Sequence, residues 1–129
     1  MIRIVMLMIA GGLGTVSRYL LQGAVQQVAP ATFPYGTLAV NMLGCLAFGF
    51  IWSLAEERFS INPETRIILL IGFMGAFTTF STFAFESLQQ LRDSELLLAF
   101  VNVAVQVVLG IALVYIGMLL ARTIGGASA

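Results

Sequence analysis

Four long apolar runs dominate the chain, at residues 4–21, 35–55, 67–88 and 96–121, and nearly all charged side chains fall between or beyond them. No run shows the two-residue alternation of a barrel strand, and each is about twice a barrel strand's length. A helix needs ~20 apolar residues to cross ~30 Å of hydrocarbon, so each run is long enough. In lipid every backbone polar group needs a partner inside the protein, which leaves helices once barrels are excluded. The pattern predicts an all-α membrane protein with four transmembrane helices, in a single domain over residues 1–129.

The connections carry suitable breakers. Pro30 and Pro34 bracket the first, and Pro34 can open the second helix in its first turn. Asn62-Pro63 marks the second connection. The third, residues 89–95, is short and polar, so helices three and four are expected to be antiparallel neighbours. Ala29-Pro30-Ala31 superficially matches a signal-cleavage site. Arg18 interrupts the apolar region before it and three more spans follow, so the first span is expected to be retained.

Composition narrows the function classes. The chain is 60% hydrophobic and 9% charged, whereas an ordinary soluble domain is about 25% charged. Six arginines balance six acids, so no basic face is available for nucleic acid. One cysteine and no histidine leave no intrachain disulfide and no Cys/His zinc set. No nucleophile–base or metal constellation of an enzyme is evident.

Four spans place Arg3, Arg58, Arg66 and Arg122 on one side, with Arg92 and at most Arg18 on the other. That bias is weak under the positive-inside rule and permits insertion in both orientations, hence an antiparallel homodimer. A four-helix chain encloses little room for a solute path, and oligomerisation would build one. Glycines at 11, 12, 14, 36, 44, 49, 72, 75, 110 and 117 mark where helices can approach closely.

Polar side chains within spans are functional candidates because lipid penalises them. Gly11, Thr15, Arg18 and Gln22 share a face of the first helix. Two readings of Arg18 stand: it lines a water-filled vestibule that attracts anions, or it snorkels or pairs at the interface. On the second helix Thr37, Asn41, Gly44, Cys45, Phe48 and Trp52 form a stripe. Asn41 offers two donors and an acceptor, for a dehydrating anion or for a bond between helices. Cys45 reads as a small buried apolar residue. The fourth helix carries Asn102, Gln106, Gly110 and Gly117 on one side, with Asn102 near its start, where an interfacial position is open to it. Glu86, towards the end of the third span, is open to gating, folding or helix-contact roles.

The third span differs from the rest. Residues 72–83 hold two glycines, four hydroxyls and four phenylalanines in twelve positions. Two glycines and paired threonines weaken a helix, so a break near the middle of this span is expected. Freed carbonyls at membrane depth must face protein, a cavity or an ion, and they suit a hard cation such as Na⁺. Phe80 and Phe83 lie one turn apart. Aromatic edges are positive and favour an anion, although phenylalanines also simply pack helices.

These blocks carry a family resemblance: Gly11-Gly12-Leu13-Gly14 with Arg18-Tyr19; Gly36-Thr37-Leu38-Ala39-Val40-Asn41-Met42-Leu43-Gly44; and residues 72–83. The chain resembles the small fluoride channels of the Fluc or CrcB family over nearly its whole length. The resemblance implies a multi-pass protein of the bacterial inner membrane, a dual-topology antiparallel homodimer with two fluoride pores built from both subunits. By position, Phe80 and Phe83 would be the pore-lining rings and Asn41 a fluoride donor. Ser81, Thr82 and Thr37 would be hydroxyls along the path. Backbone carbonyls of Gly75 and Thr78 would hold a structural Na⁺ at the dimer centre, and Arg18 would sit near the vestibule. Members often carry hydroxyls on the pore side of the fourth helix. This chain has no serine or threonine from residue 101 to 122.

The expected activity is passive electrodiffusion of fluoride, with no enzymatic step. A small multidrug-type antiporter is an alternative of similar size, but it needs an embedded acid, and the first helix has no Asp or Glu. A non-transporting assembly subunit fits the composition and leaves residues 72–83 unexplained.

Overall fold

The computed structural model describes residues 1–57 and 61–126, so Arg58 lies outside the described residues. All regular elements among them are helical. They are α1 (Ile2–Val28), α2 (Tyr35–Glu57), α3 (Pro63–Ile67), a π-helical segment (Ile68–Met74), α4 (Gly75–Phe77), α5 (Phe80–Arg92) and α6 (Leu96–Gly126). Four helical stretches are long and apolar enough to cross a membrane, the third running from Pro63 to Arg92 through the break. The helices overrun the apolar runs at several ends. α1 continues seven residues beyond residue 21, to Val28, because glutamines such as Gln22 and Gln26 are polar but good helix formers.

Helix ends follow local chemistry. Ala29 turns extended (φ −97°, ψ 155°), since the following Pro30 ring disfavours a helical conformation there. Gln26 then fastens the first connection: its Nε2 donates to the Phe33 carbonyl at 3.2 Å and its Oε1 accepts from Gly36 N–H at 3.0 Å. Asn62 caps α3 by accepting from Glu64 N–H at 2.9 Å, with Pro63 in the first turn. At the third connection Ser94 is left-handed (φ 63°). Glu95 N–H closes this turn on the Gln90 carbonyl at 2.8 Å, which folds α6 back against α5.

Packing is closest between α2 and α6. A Cβ at Gly49 would collide with the Val114 carbonyl, and one at Gly117 with the Leu46 carbonyl, so backbone meets backbone. α1 lies against the π segment and α4. The Arg66 guanidinium sits 3.8 Å from the centre of the Trp52 ring and ties α3 to α2. The buried apolar set is small: Phe33, Val40, Leu70, Met74, Phe83, Ala99 and Ala121. Most large apolar side chains face outward, α1 above all, as suits a helix surrounded by lipid or by another subunit.

Candidate ion pathway at the helix break

The third span breaks at Thr78 and Thr79, both extended (ψ 159° and 107°). In a continuous α-helix Thr79 N–H would return to the Gly75 carbonyl and Thr82 N–H to the Thr78 carbonyl. Here Thr79 N–H donates to Asn41 Oδ1 at 2.8 Å, and Thr82 N–H donates to Thr79 Oγ1 at 3.2 Å. The carbonyls of Gly75 and Thr78 are thereby released from their helical partners. Asn41 also donates from Nδ2 to the Thr79 carbonyl at 3.1 Å, so one carboxamide holds both backbone groups of the broken residue. A break at membrane depth needs such a partner.

Beside the break lies a cavity of about 300 Å³. Asn41, Cys45, Phe48, Thr78, Thr79, Phe80, Phe83 and Gln106 are among its walls, and no charged side chain is. The Phe80 and Phe83 rings meet edge-on at 5.4 Å between centres. Phe83 is buried, whereas Phe80 is 78% exposed in the single chain. Cys45 is half-buried on the cavity wall rather than enclosed as a core residue; its sulfur packs against Gly110, where a Cβ would come to 3.4 Å from it.

A larger cavity, about 660 Å³, opens at the other end of α5, between α1, the first connection and α5. Tyr19, Gln22, Gln26, Glu86, Gln89, Gln90 and Asp93 line it. Thr37 is buried and bonded to two residues of that lining. Its hydroxyl donates to Glu86 Oε1 at 2.7 Å and accepts from Gln22 Nε2 at 3.1 Å. Of the three roles open to Glu86, this contact supplies a helix-to-helix tie. Its other oxygen is buried with no partner among the described residues.

The remaining sequence candidates divide. Thr82 is bonded back to Thr79, Oγ1 to Oγ1 at 2.8 Å. Ser81 is exposed and lines neither cavity, and Arg18 is half-buried and not among the residues lining the vestibule-like cavity. Asn102 departs from an interfacial position: it is fully buried, and its Nδ2 donates to Ser87 Oγ at 2.9 Å. Gln106 is buried too, accepting from Asn41 Nδ2 at 2.7 Å and donating to Asn102 Oδ1 at 3.1 Å. Ser87 carried no signal of its own. The spacing of Asn102 and Gln106, one turn apart on one face, was the signal for their shared role. Among the described residues no three His, Cys, Asp or Glu side chains cluster, so a cation here would rely on backbone oxygens.

Residues 5–118 match the family described as CrcB-like protein, Camphor Resistance (CrcB). The chain is 56% identical over 116 residues to a protein of Nitrosococcus oceani named "Fluoride-specific ion channel FluC", covering 90% of this chain and 93% of that one. A relative of the same name from Nitratidesulfovibrio vulgaris is 52% identical over 116 residues, covering 90% and 94%. Another, from Desulforapulum autotrophicum, is 45% identical over 122 residues, covering 95% and 98%. With these likenesses running through all four spans and the break, the chain belongs to the CrcB-like family.

Proposed function

We propose that this chain is a passive, fluoride-selective channel that lets fluoride leave the bacterial cell across the inner membrane, working as an antiparallel homodimer with two pores. The observation that carries this reading is the cavity at the break, walled by two phenylalanine rings and carboxamides and free of charged side chains. The names of the relatives support it. Fluoride holds water strongly, so a narrow path must offer hard donors in place of the shell. Asn41 supplies N–H, Thr37 and Thr82 hydroxyls, and the Phe80 and Phe83 edges weaker contacts that let the ion leave again. Ser81 is a hydroxyl of the path on the face a second subunit would cover. Chloride is larger and a weaker acceptor, and gains less from the same donors. The exposure of Phe80 supports a second subunit, since the cavity is half a pore in one chain.

Two further assignments belong to this reading. The released carbonyls of Gly75 and Thr78 fit a hard, oxygen-bound cation, and with their counterparts in a second subunit they would hold a structural Na⁺ at the dimer centre. Arg18 would act from the rim of the vestibule, as a source of positive potential for arriving anions. No chemical step is required, so the protein is not an enzyme in this reading. The antiporter alternative needs a carboxylate on α1, which has none.

The test is efflux from liposomes holding purified protein, with fluoride and chloride followed by ion-selective electrodes. Fluoride efflux with little chloride efflux is expected. No fluoride flux, or equal chloride flux, would sink the reading.

A further inference from the structure

The bonds around Asn41 set a problem for any anion that reaches it. Its two N–H groups are both in use, one on the Thr79 carbonyl at 3.1 Å and one on Gln106 Oε1 at 2.7 Å. Its own oxygen is taken by Thr79 N–H at 2.8 Å. The bond to Thr79 holds the broken backbone, so the N–H facing Gln106 is the one that can be released. Its present partner is an acceptor oxygen, which repels an anion. An ion can bind there only if that oxygen leaves.

The residues behind Gln106 show where it can go. Gln106 Nε2 donates to Asn102 Oδ1 at 3.1 Å, Asn102 Nδ2 to Ser87 Oγ at 2.9 Å, and Ser87 Oγ to the Phe83 carbonyl at 2.8 Å. All three side chains are buried, and all their bonds point one way. Each is a carboxamide or a hydroxyl, with a donor and an acceptor that exchange places by rotation about a terminal bond. Such terminal rotations are soft, with two broad wells.

We propose that Gln106, Asn102 and Ser87 form a reversible polar relay that turns from acceptor to donor when an anion arrives at Asn41. Gln106 rotates by half a turn, so that Nε2 faces the ion beside the freed Asn41 N–H. Its oxygen then faces Asn102, which rotates in turn and donates from Nδ2 to it. Asn102 Oδ1 now accepts from the Ser87 hydroxyl, which swings off the Phe83 carbonyl. That carbonyl lies inside α5 and keeps its helical N–H partner. The ion gains two carboxamide donors, every relay residue stays bonded, and no proton changes its heavy atom. Gln106 thus takes on α6 the position where hydroxyls are absent, and does so by reorienting. A strong acceptor such as fluoride drives the reversal better than chloride, which makes the relay a selectivity device. The proposal rests on the channel reading.

The test follows side-chain amide signals by NMR in ¹⁵N-labelled protein in lipid nanodiscs, titrated with sodium fluoride or sodium chloride, beside liposome efflux of the same preparation. Fluoride should shift the signals of Asn41, Gln106 and Asn102 together, and equal chloride should not. Gln106→Met, which keeps length but has no amide, should slow fluoride efflux about tenfold or more, the scale of one lost bond to a charged group. Asn41 shifting while Gln106 and Asn102 stay still would overturn the relay and leave the channel reading standing. So would wild-type efflux in Gln106→Met. No fluoride efflux and no fluoride shift in the wild type would overturn both. Should Gln106→Met fail to fold, the wild-type titration decides alone.

Discussion

Asn41 performs two tasks that are hard to separate by inspection and simple to separate by substitution. It braces the break through both backbone groups of Thr79, and its second N–H is bonded to Gln106, which lines the cavity with it. Asn41→Leu leaves the buried Thr79 N–H without its partner, at about 1–3 kcal/mol, while the Thr79 carbonyl keeps the first helical bond of α5. The variant should lose stability by that order in denaturant titration of detergent-solubilised protein, together with its fluoride flux. Wild-type stability would show that the break holds itself. The two rings should divide differently. Phe83 is buried and Phe80 exposed. Phe83→Ile should lower the stability of the single fold by up to ~1.5 kcal/mol, as a modest core reshaping does, and Phe80→Ile should leave it unchanged. Both should sharply slow fluoride efflux, and normal flux in both would reduce the rings to packing.

At the scale of elements, α2 and α6 are held at backbone distance by glycines. Gly49→Leu or Gly117→Leu would drive a side chain into a carbonyl and separate the helices, so neither should yield monodisperse protein on gel filtration. Gly12→Ala meets nothing within 4 Å in the single chain and should fold normally. The spans were legible in the sequence because apolar run length reports directly on bilayer thickness, and the break was legible because two glycines and two adjacent threonines share a short stretch. The polar chain from Asn41 to Ser87 was less so. Asn102 and Ser87 are partners across two helices, 15 residues apart in sequence, and nothing local marks that pairing. Gln106 stood out only as an expensive side chain in lipid. Its partner was set by how α6 rotates against α2, which glycine contacts decide.

For the whole molecule the weak charge bias and the exposed flank of α1 point the same way. If insertion is dual, adding two arginines to the second connection, as Glu56→Arg with Glu64→Arg, should raise the imbalance to six against one or two, bias orientation and reduce fluoride flux. Co-expression with a variant biased oppositely should restore it, and unaffected flux from the first variant alone would count against the antiparallel assembly. The cation site proposed at Gly75 and Thr78 makes a second prediction. Anything that binds the folded dimer alone stabilises it by mass action. Replacing Na⁺ by a large organic cation should therefore lower the dimer's melting temperature, and Li⁺ or K⁺ should restore it less well than Na⁺. Equal melting in all media would remove the site.

The π-helical segment at Ile68–Met74 has a consequence for phase. A π turn holds about one residue more than an α turn, so this stretch resets the angular register between α3, anchored by Arg66 on Trp52, and α4, which leads into the break. An α-helix advances about 100° per residue. Deleting one residue such as Ile71 would remove that surplus and let the stretch close as α-helix with its phase kept, whereas inserting one would turn the remainder of the span by roughly that angle. The ring pair and the freed carbonyls would then point away from the partners that α2 and α6 hold in place. The third span is in this sense a dial with one correct setting, kept by a turn whose own side chains do not line the cavity at the break.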